Sequence, residues 1–138
     1  MKTRTRAEVS KKNKFYVEKN RYYELKYFCL QYPIWKQAYE SLDGLSRRPD
    51  DLASFKTNKV SDPTSKCAEA KLYYLERMNM VEKVARETDS ELCDYILKGV
   101  TEGIAYDWLK VKFNIPCGKD TYYKLRREFF WRLNKIRE

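Results

Sequence analysis

A chain of 138 residues with 43% apolar residues, 36% charged residues, four Gly and four Pro can build one helical core and has little material for hairpin turns. No apolar run approaches the ~18 residues of a membrane span, and the basic opening MKTRTRAEVSKKNK has no apolar segment behind it, so a cytoplasmic protein without a secretion signal is expected. The net charge of +9 is concentrated at the two ends: nine basic against three acidic residues up to Lys26, and nine against five from Thr101 onward, which suits a polyanionic partner.

Residues 1–14 read as a basic, flexible arm, followed by a helical core over 15–87 and a C-terminal unit over 88–138. In the core, Tyr22, Leu25, Cys29, Tyr32, Trp35, Tyr39 and Leu42 recur at spacings of three and four, which is one helical face. Pro33 lacks an amide donor and would clash inside a helix but is accommodated in a first turn. The face is therefore expected to split into helices over 16–31 and 33–42, closed by Asp43-Gly44. A loop without periodicity follows over 45–60, in which Asp50 and Asp51 offset Arg47 and Arg48.

Asp62 is suited to an N-cap and Pro63 to the first helical position, so a third helix is predicted over 63–87. Its stripe Ala68, Leu72, Leu75, Met78, Val81 and Ala85 is close to a heptad spacing and predicts packing along the first helix. Thr88-x-x-Glu91 resembles a capping box for a fourth helix over 89–98, with Leu92, Tyr95, Ile96 and Val100 inward and Gly99 at its end.

The C-terminal stretch IAYDWLKVKFNIPCGKDTYYKLRREFFWRLNKIRE has the layout of a helix-turn-helix, in which one helix braces and the second enters the major groove. Ile104, Trp108, Leu109 and Phe113 are expected on the inner face of the bracing helix. Asn114 suits a left-handed C-terminal position, and Ile115 supplies an apolar plug for the turn. In the helix beginning near Lys119, Tyr122, Leu125, Phe129, Leu133 and Ile136 form the inward stripe. That arrangement leaves Lys119, Asp120, Tyr123, Lys124, Arg126 and Arg127 outward.

Lys124 or Arg127 could pair with a guanine edge, and Tyr123 could meet a thymine methyl or a phosphate. Arg126, Lys110 and Lys112 are assigned to phosphates, which position a protein without reading sequence. Phe130 and Trp131 cannot both belong to the inward stripe, so at least one is expected at an edge or exposed. The fold class predicted is all-α, with long antiparallel helices and a C-terminal helix-turn-helix.

Catalysis has no support: histidine is absent, as are a Gly-rich phosphate loop and a paired-carboxylate motif. Cys29, Cys67, Cys93 and Cys117 occur singly, which argues against a metal site and for reduced, structural thiols. No cofactor is expected, and the chain is read as not an enzyme.

Three segments, RYYELKYFCLQYPIWKQ, KVSDPTSKCAEAKLYYLERM and KDTYYKLRREFFWRL, resemble the RinA/ArpU-type phage transcriptional regulators of Gram-positive bacteria. The C-terminal part of that family is similar to region 4 of sigma factors. Asp62-Pro63-Thr64 matches the motif that opens its long middle helix, and Thr121-Tyr122-Tyr123 matches its recognition helix. The resemblance implies a phage or mobile-element protein that regulates transcription by binding promoter DNA. Its DNA-facing group would be Lys119, Thr121, Tyr122, Tyr123, Lys124 and Arg127.

The partners implied are double-stranded DNA, RNA polymerase and a second copy of the chain, with no membrane. Two other functions fit the sequence. One is a packaging protein of the small-terminase kind. The other is a protein-binding module that inhibits a host nucleic-acid enzyme through Phe130, Trp131 and the Arg47-Arg48 loop.

Overall fold

The computed structural model describes residues 12–46 and 63–137. Among these residues are six helices and no strand: α1 (Lys19–Cys29), α2 (Tyr32–Ser46), α3 (Pro63–Thr88), α4 (Cys93–Glu102), α5 (Tyr106–Phe113) and α6 (Lys119–Ile136). The fold is all-α. Residues 1–11 and 47–62, which include most of the basic arm, Arg47, Arg48, Asp50, Asp51 and the Asp62 cap, lie outside the described residues.

Local chemistry explains where the helices begin and end. α1 starts later than the apolar spacing suggested, because Glu18 caps it: its carboxylate accepts the amides of Asn20 and Arg21 at 3.0 and 3.1 Å. Pro33 falls in the first turn of α2, where its missing N–H breaks no bond. α2 does not stop at Asp43-Gly44 but continues to Ser46, since a single glycine weakens a helix by only about 1 kcal/mol and need not end it.

The capping box expected at Thr88 does not form. The Thr88 hydroxyl donates back to the Val84 carbonyl at 2.8 Å, while Asp89 accepts the amides of Glu91 and Leu92 at 2.9 Å. α4 consequently opens at Cys93. It runs through Gly99 to Glu102 and is ended by Gly103, whose φ of 69° is costly for any side chain with a Cβ.

The chain divides into two compact units. One comprises α2 and α3 as far as Met80; within it the Cys67 thiol donates to the Leu42 carbonyl at 3.5 Å, and the Lys71 ammonium lies 5.5 Å from the centre of the Tyr39 ring. Ala68 and Leu72, expected on the inner stripe of α3, are exposed there, whereas Met78 is buried.

The other unit joins α1 to everything from Val81 onward. Within it α6 packs on α1 and α4, and α4 also touches α1 and α5. The α3 stripe predicts packing along α1, but the main helical partner of α1 is α6, about 100 residues away. Tyr22, Leu25, Phe28 and Cys29 of α1 are buried, as are Phe129, Phe130 and Leu133 of α6. The Tyr22 and Phe130 rings meet edge-on at 5.1 Å, and Arg21 Nε donates to Asn134 Oδ1 at 2.6 Å. Each large side chain removed from water in this way stabilises the unit by about 1.5–3 kcal/mol.

Candidate nucleic-acid interface

α5 and α6 are joined by the five residues Asn114–Gly118. Asn114 adopts the left-handed conformation expected of it, φ 54° and ψ 46°, and its amide returns to the Lys110 carbonyl at 3.2 Å. Ile115 is buried below it, and its amide reaches the Leu109 carbonyl at 3.2 Å. The Tyr106 hydroxyl donates to the Cys117 carbonyl at 2.7 Å, tying the start of α5 to the end of the turn. Tyr106, Leu109, Ile115 and Tyr122 form one buried cluster, with Ile104, Leu92 and Tyr95 packed against it. The angle between α5 and α6 is therefore held by side-chain packing and by two kinds of backbone bond.

The inner face of α5 is narrower than the sequence suggested. Leu109 is buried and Ile104 half-buried, but Trp108 is 58% exposed and Phe113 also reaches solvent. The buried arc instead runs through Tyr106 and Leu109, one turn apart. Val111, next round the outer face, is 76% exposed.

The inward stripe of α6 holds at Tyr122, Phe129 and Leu133, is half-buried at Leu125 and fails at Ile136, which is exposed. Phe130 is 1% exposed because α1 covers a second side of the helix, so it is not a surface residue. Trp131 lies at the edge expected for one of the pair: half-buried, 5.2 Å from the Phe15 ring, with the Lys135 ammonium 4.0 Å above its centre.

The residues assigned to nucleic acid separate into three groups. Lys110, Lys112, Lys119, Thr121 and Lys124 are exposed. Tyr123, Arg126 and Arg127 are half-buried. Tyr122, which the family resemblance included, is 1% exposed and belongs to the core, as its own helical spacing indicated; it offers no surface to a duplex.

Neither Arg126 nor Arg127 has a carboxylate partner among the described residues, and the Nε of each is buried without a hydrogen-bond acceptor. The acid nearest in sequence, Glu128, is engaged with Arg132 at 2.9 Å. Arg126, expected outward, instead lies on the buried side of α6, three or four residues from Tyr122, Phe129 and Phe130, whereas Arg127 lies at the margin of that side. Arg126 also lies 5.8 Å from the centre of the Phe130 ring and acts electrostatically on the phenols behind α6. Burial pushes the Tyr122 phenol up to about 12, and the Arg126 charge only partly offsets it. Tyr22 is raised for the same reasons.

Cys29 is fully buried and its thiol is held in the neutral form by burial, whereas Cys67, Cys93 and Cys117 are only half-buried. Of the four thiols read as structural, Cys29 alone is fully buried. No helix among the described residues is long and apolar enough to cross a membrane.

No family model, curated protein or solved structure matches this chain.

Proposed function

We propose that this chain is a DNA-binding protein of a phage or mobile element that regulates transcription by reading duplex DNA through α6. The observation that carries the proposal is the two-sidedness of that helix. One side is locked into the core through Tyr122, Phe129, Phe130 and Leu133; the exposed Thr121 and Lys124 lie opposite it, the half-buried Arg127 lies at its margin, and Lys119 is exposed at the helix start. A recognition helix needs this combination: a rigid mount, and side chains that reach base edges from the N-terminal half. Lys124 and Arg127 carry base readout in this proposal. Lys110, Lys112 and Lys119 hold phosphates, Thr121 and Tyr123 flank them, and Tyr122 and Arg126 lie on the mounted side.

The test is selection of bound fragments from the source genome at physiological salt, with wild type and the Lys124→Ala/Arg127→Ala protein side by side. A discrete site lost by the double variant is the expected result. Recovery of nothing, or equal recovery of everything, would overturn the reading.

A second reading draws on the outer face of α5. Exposed Trp108 and Val111, with the Lys112 ammonium 5.6 Å from the indole centre, favour a protein contact, whether with RNA polymerase or with an inhibited host enzyme. Phe130, buried, has no part in it.

A further inference from the structure

α1 presents a second cationic surface beside the candidate recognition helix. Its buried face is Tyr22, Leu25, Phe28 and Cys29. The two edges of that face meet different ends of α6. On one edge Arg21 bonds Asn134, near the C-terminus of α6. On the other edge the Tyr22 ring packs edge-on against Phe130, which borders the side of α6 that carries Tyr123, Arg127 and Lys124. This second edge therefore flanks the Arg127–Lys124 side of α6, the side proposed to meet a duplex.

Going outward round α1 from Tyr22, the next side chains on that edge are Lys26 and Tyr23, followed by Tyr27. Tyr23 stands edge-on to Tyr22 at 5.4 Å, which ties it to the ring that α6 holds. The Lys26 ammonium lies 5.7 Å from the centre of the Tyr23 ring and 5.9 Å from that of the exposed Tyr27 ring. No carboxylate pairs with Lys26 among the described residues; Glu24, the acid nearest in sequence, is taken by Arg21 at 2.9 Å. Lys26 is thus an unneutralised charge steadied between two phenols, and a steadied cation loses less side-chain entropy when an anion arrives.

We infer that the Tyr23–Lys26–Tyr27 edge of α1 holds a backbone phosphate of duplex DNA flanking the segment read by α6. The occupant follows from charge and continuity: the edge carries the Lys26 ammonium and hydroxyl donors, and through Tyr22 and Phe130 it borders the Tyr123–Arg127 side of α6. A phosphate contact there would fix how the helix enters the groove without adding sequence preference. The inference rests on the α6 reading.

It is tested by measuring affinity against salt for the full chain on the selected duplex and on a scrambled one, comparing wild type, Lys26→Ala, Lys26→Arg and Lys124→Ala/Arg127→Ala, each first shown to melt like wild type. Each phosphate neutralised contributes a slope of about 0.9 in log affinity against log salt. The Lys26→Ala slope is expected to be shallower by that amount. Raising salt from about 50 to about 200 mM should then weaken wild type roughly 3.5-fold more than Lys26→Ala, equally on both duplexes, and Lys26→Arg should restore the slope. An unchanged slope for Lys26→Ala, with the Lys124→Ala/Arg127→Ala defect intact, overturns the α1 contact and leaves α6 standing. Wild type that holds no duplex at the lower salt overturns both.

Discussion

Tyr122 and Gly99 are fitted to each other. A Cβ built on Gly99 would fall well inside van der Waals contact with the Tyr122 hydroxyl oxygen, while the ring carbon bearing that oxygen lies 3.2 Å from the same point. Gly99 is therefore a requirement of α4–α6 packing and not a helix end. Gly99→Ala is expected to cost roughly 1–3 kcal/mol through overpacking, despite the ~0.5–1 kcal/mol that alanine gains inside a helix. In a Tyr122→Phe background only the tight 3.2 Å approach to the ring carbon remains, so the same substitution should cost much less; a double-mutant cycle by urea unfolding reads the coupling directly.

The Tyr122 hydroxyl itself is buried without a partner. Tyr122→Phe alone should therefore leave stability unchanged or raise it by about 1 kcal/mol, since an unsatisfied polar group is removed. The substitution should also change the alkaline limb. Tyr122 is raised from 10.0 to about 12 in the folded chain. Between those values the unfolded chain sheds a proton that the folded chain keeps, so stability is intact below pH 10 and falls as pH rises. The loss approaches roughly 2–3 kcal/mol by the top of that window, and Tyr122→Phe should remove it, with the slope due to Tyr22 and Cys29 remaining. Unfolding free energies across this pH range check both the sign and the residue.

At the scale of the element, the α5–α6 connection was the most legible part of the chain. Asn114 is one of the few residues that tolerates a left-handed conformation, and an apolar residue directly after it has nowhere to go but inward, so the turn could be read locally. Asn114→Ala should cost about 1–2 kcal/mol, the penalty for placing a Cβ in that conformation without the asparagine side chain, whereas Asn114→Gly should be close to neutral; thermal unfolding distinguishes them.

The faces of α5 and α6 were less legible, because the width of a buried arc is set by how many neighbours cover the helix. α5 packs mainly on α4 and the turn, so Tyr106 and Leu109 fill its arc and Trp108 and Phe113 spill into water. α6 is covered by α1 as well as α4, so its arc widens to include Phe130. Spacing within each helix carries neither fact. The same limit applies to the candidate interface: the periodicity of α6 predicted the exposure of Lys124, but Arg126 was expected outward and lies inward, and nothing near them in sequence points to Lys26.

At the scale of the molecule, the α1–α6 pairing is a contact between residues separated by most of the chain. It decides whether the C-terminal helices can stand alone. α1 contributes four buried side chains, Tyr22, Leu25, Phe28 and Cys29, and Phe130 of α6 is buried against Tyr22. At about 1.5–3 kcal/mol for each of the larger three, their loss amounts to roughly 5–9 kcal/mol, comparable with the whole stability of a small domain at about 5–15 kcal/mol. A fragment of residues 81–138 should therefore lack a cooperative urea transition, even though it contains α4, α5 and α6 entire.

Restoring α1 as a separate peptide of residues 12–31 should bring back helical ellipticity and alter Trp131 emission, because Phe15 returns to within 5.2 Å of that indole. The change should saturate with peptide concentration, as expected when binding and folding are coupled. A fragment that melts cooperatively by itself would mean that α4–α6 close their own core and that α1 only leans on it. In that case Lys26 would have no rigid mount, and its steadying between Tyr23 and Tyr27 could not be passed to the face of α6 that is proposed to meet DNA.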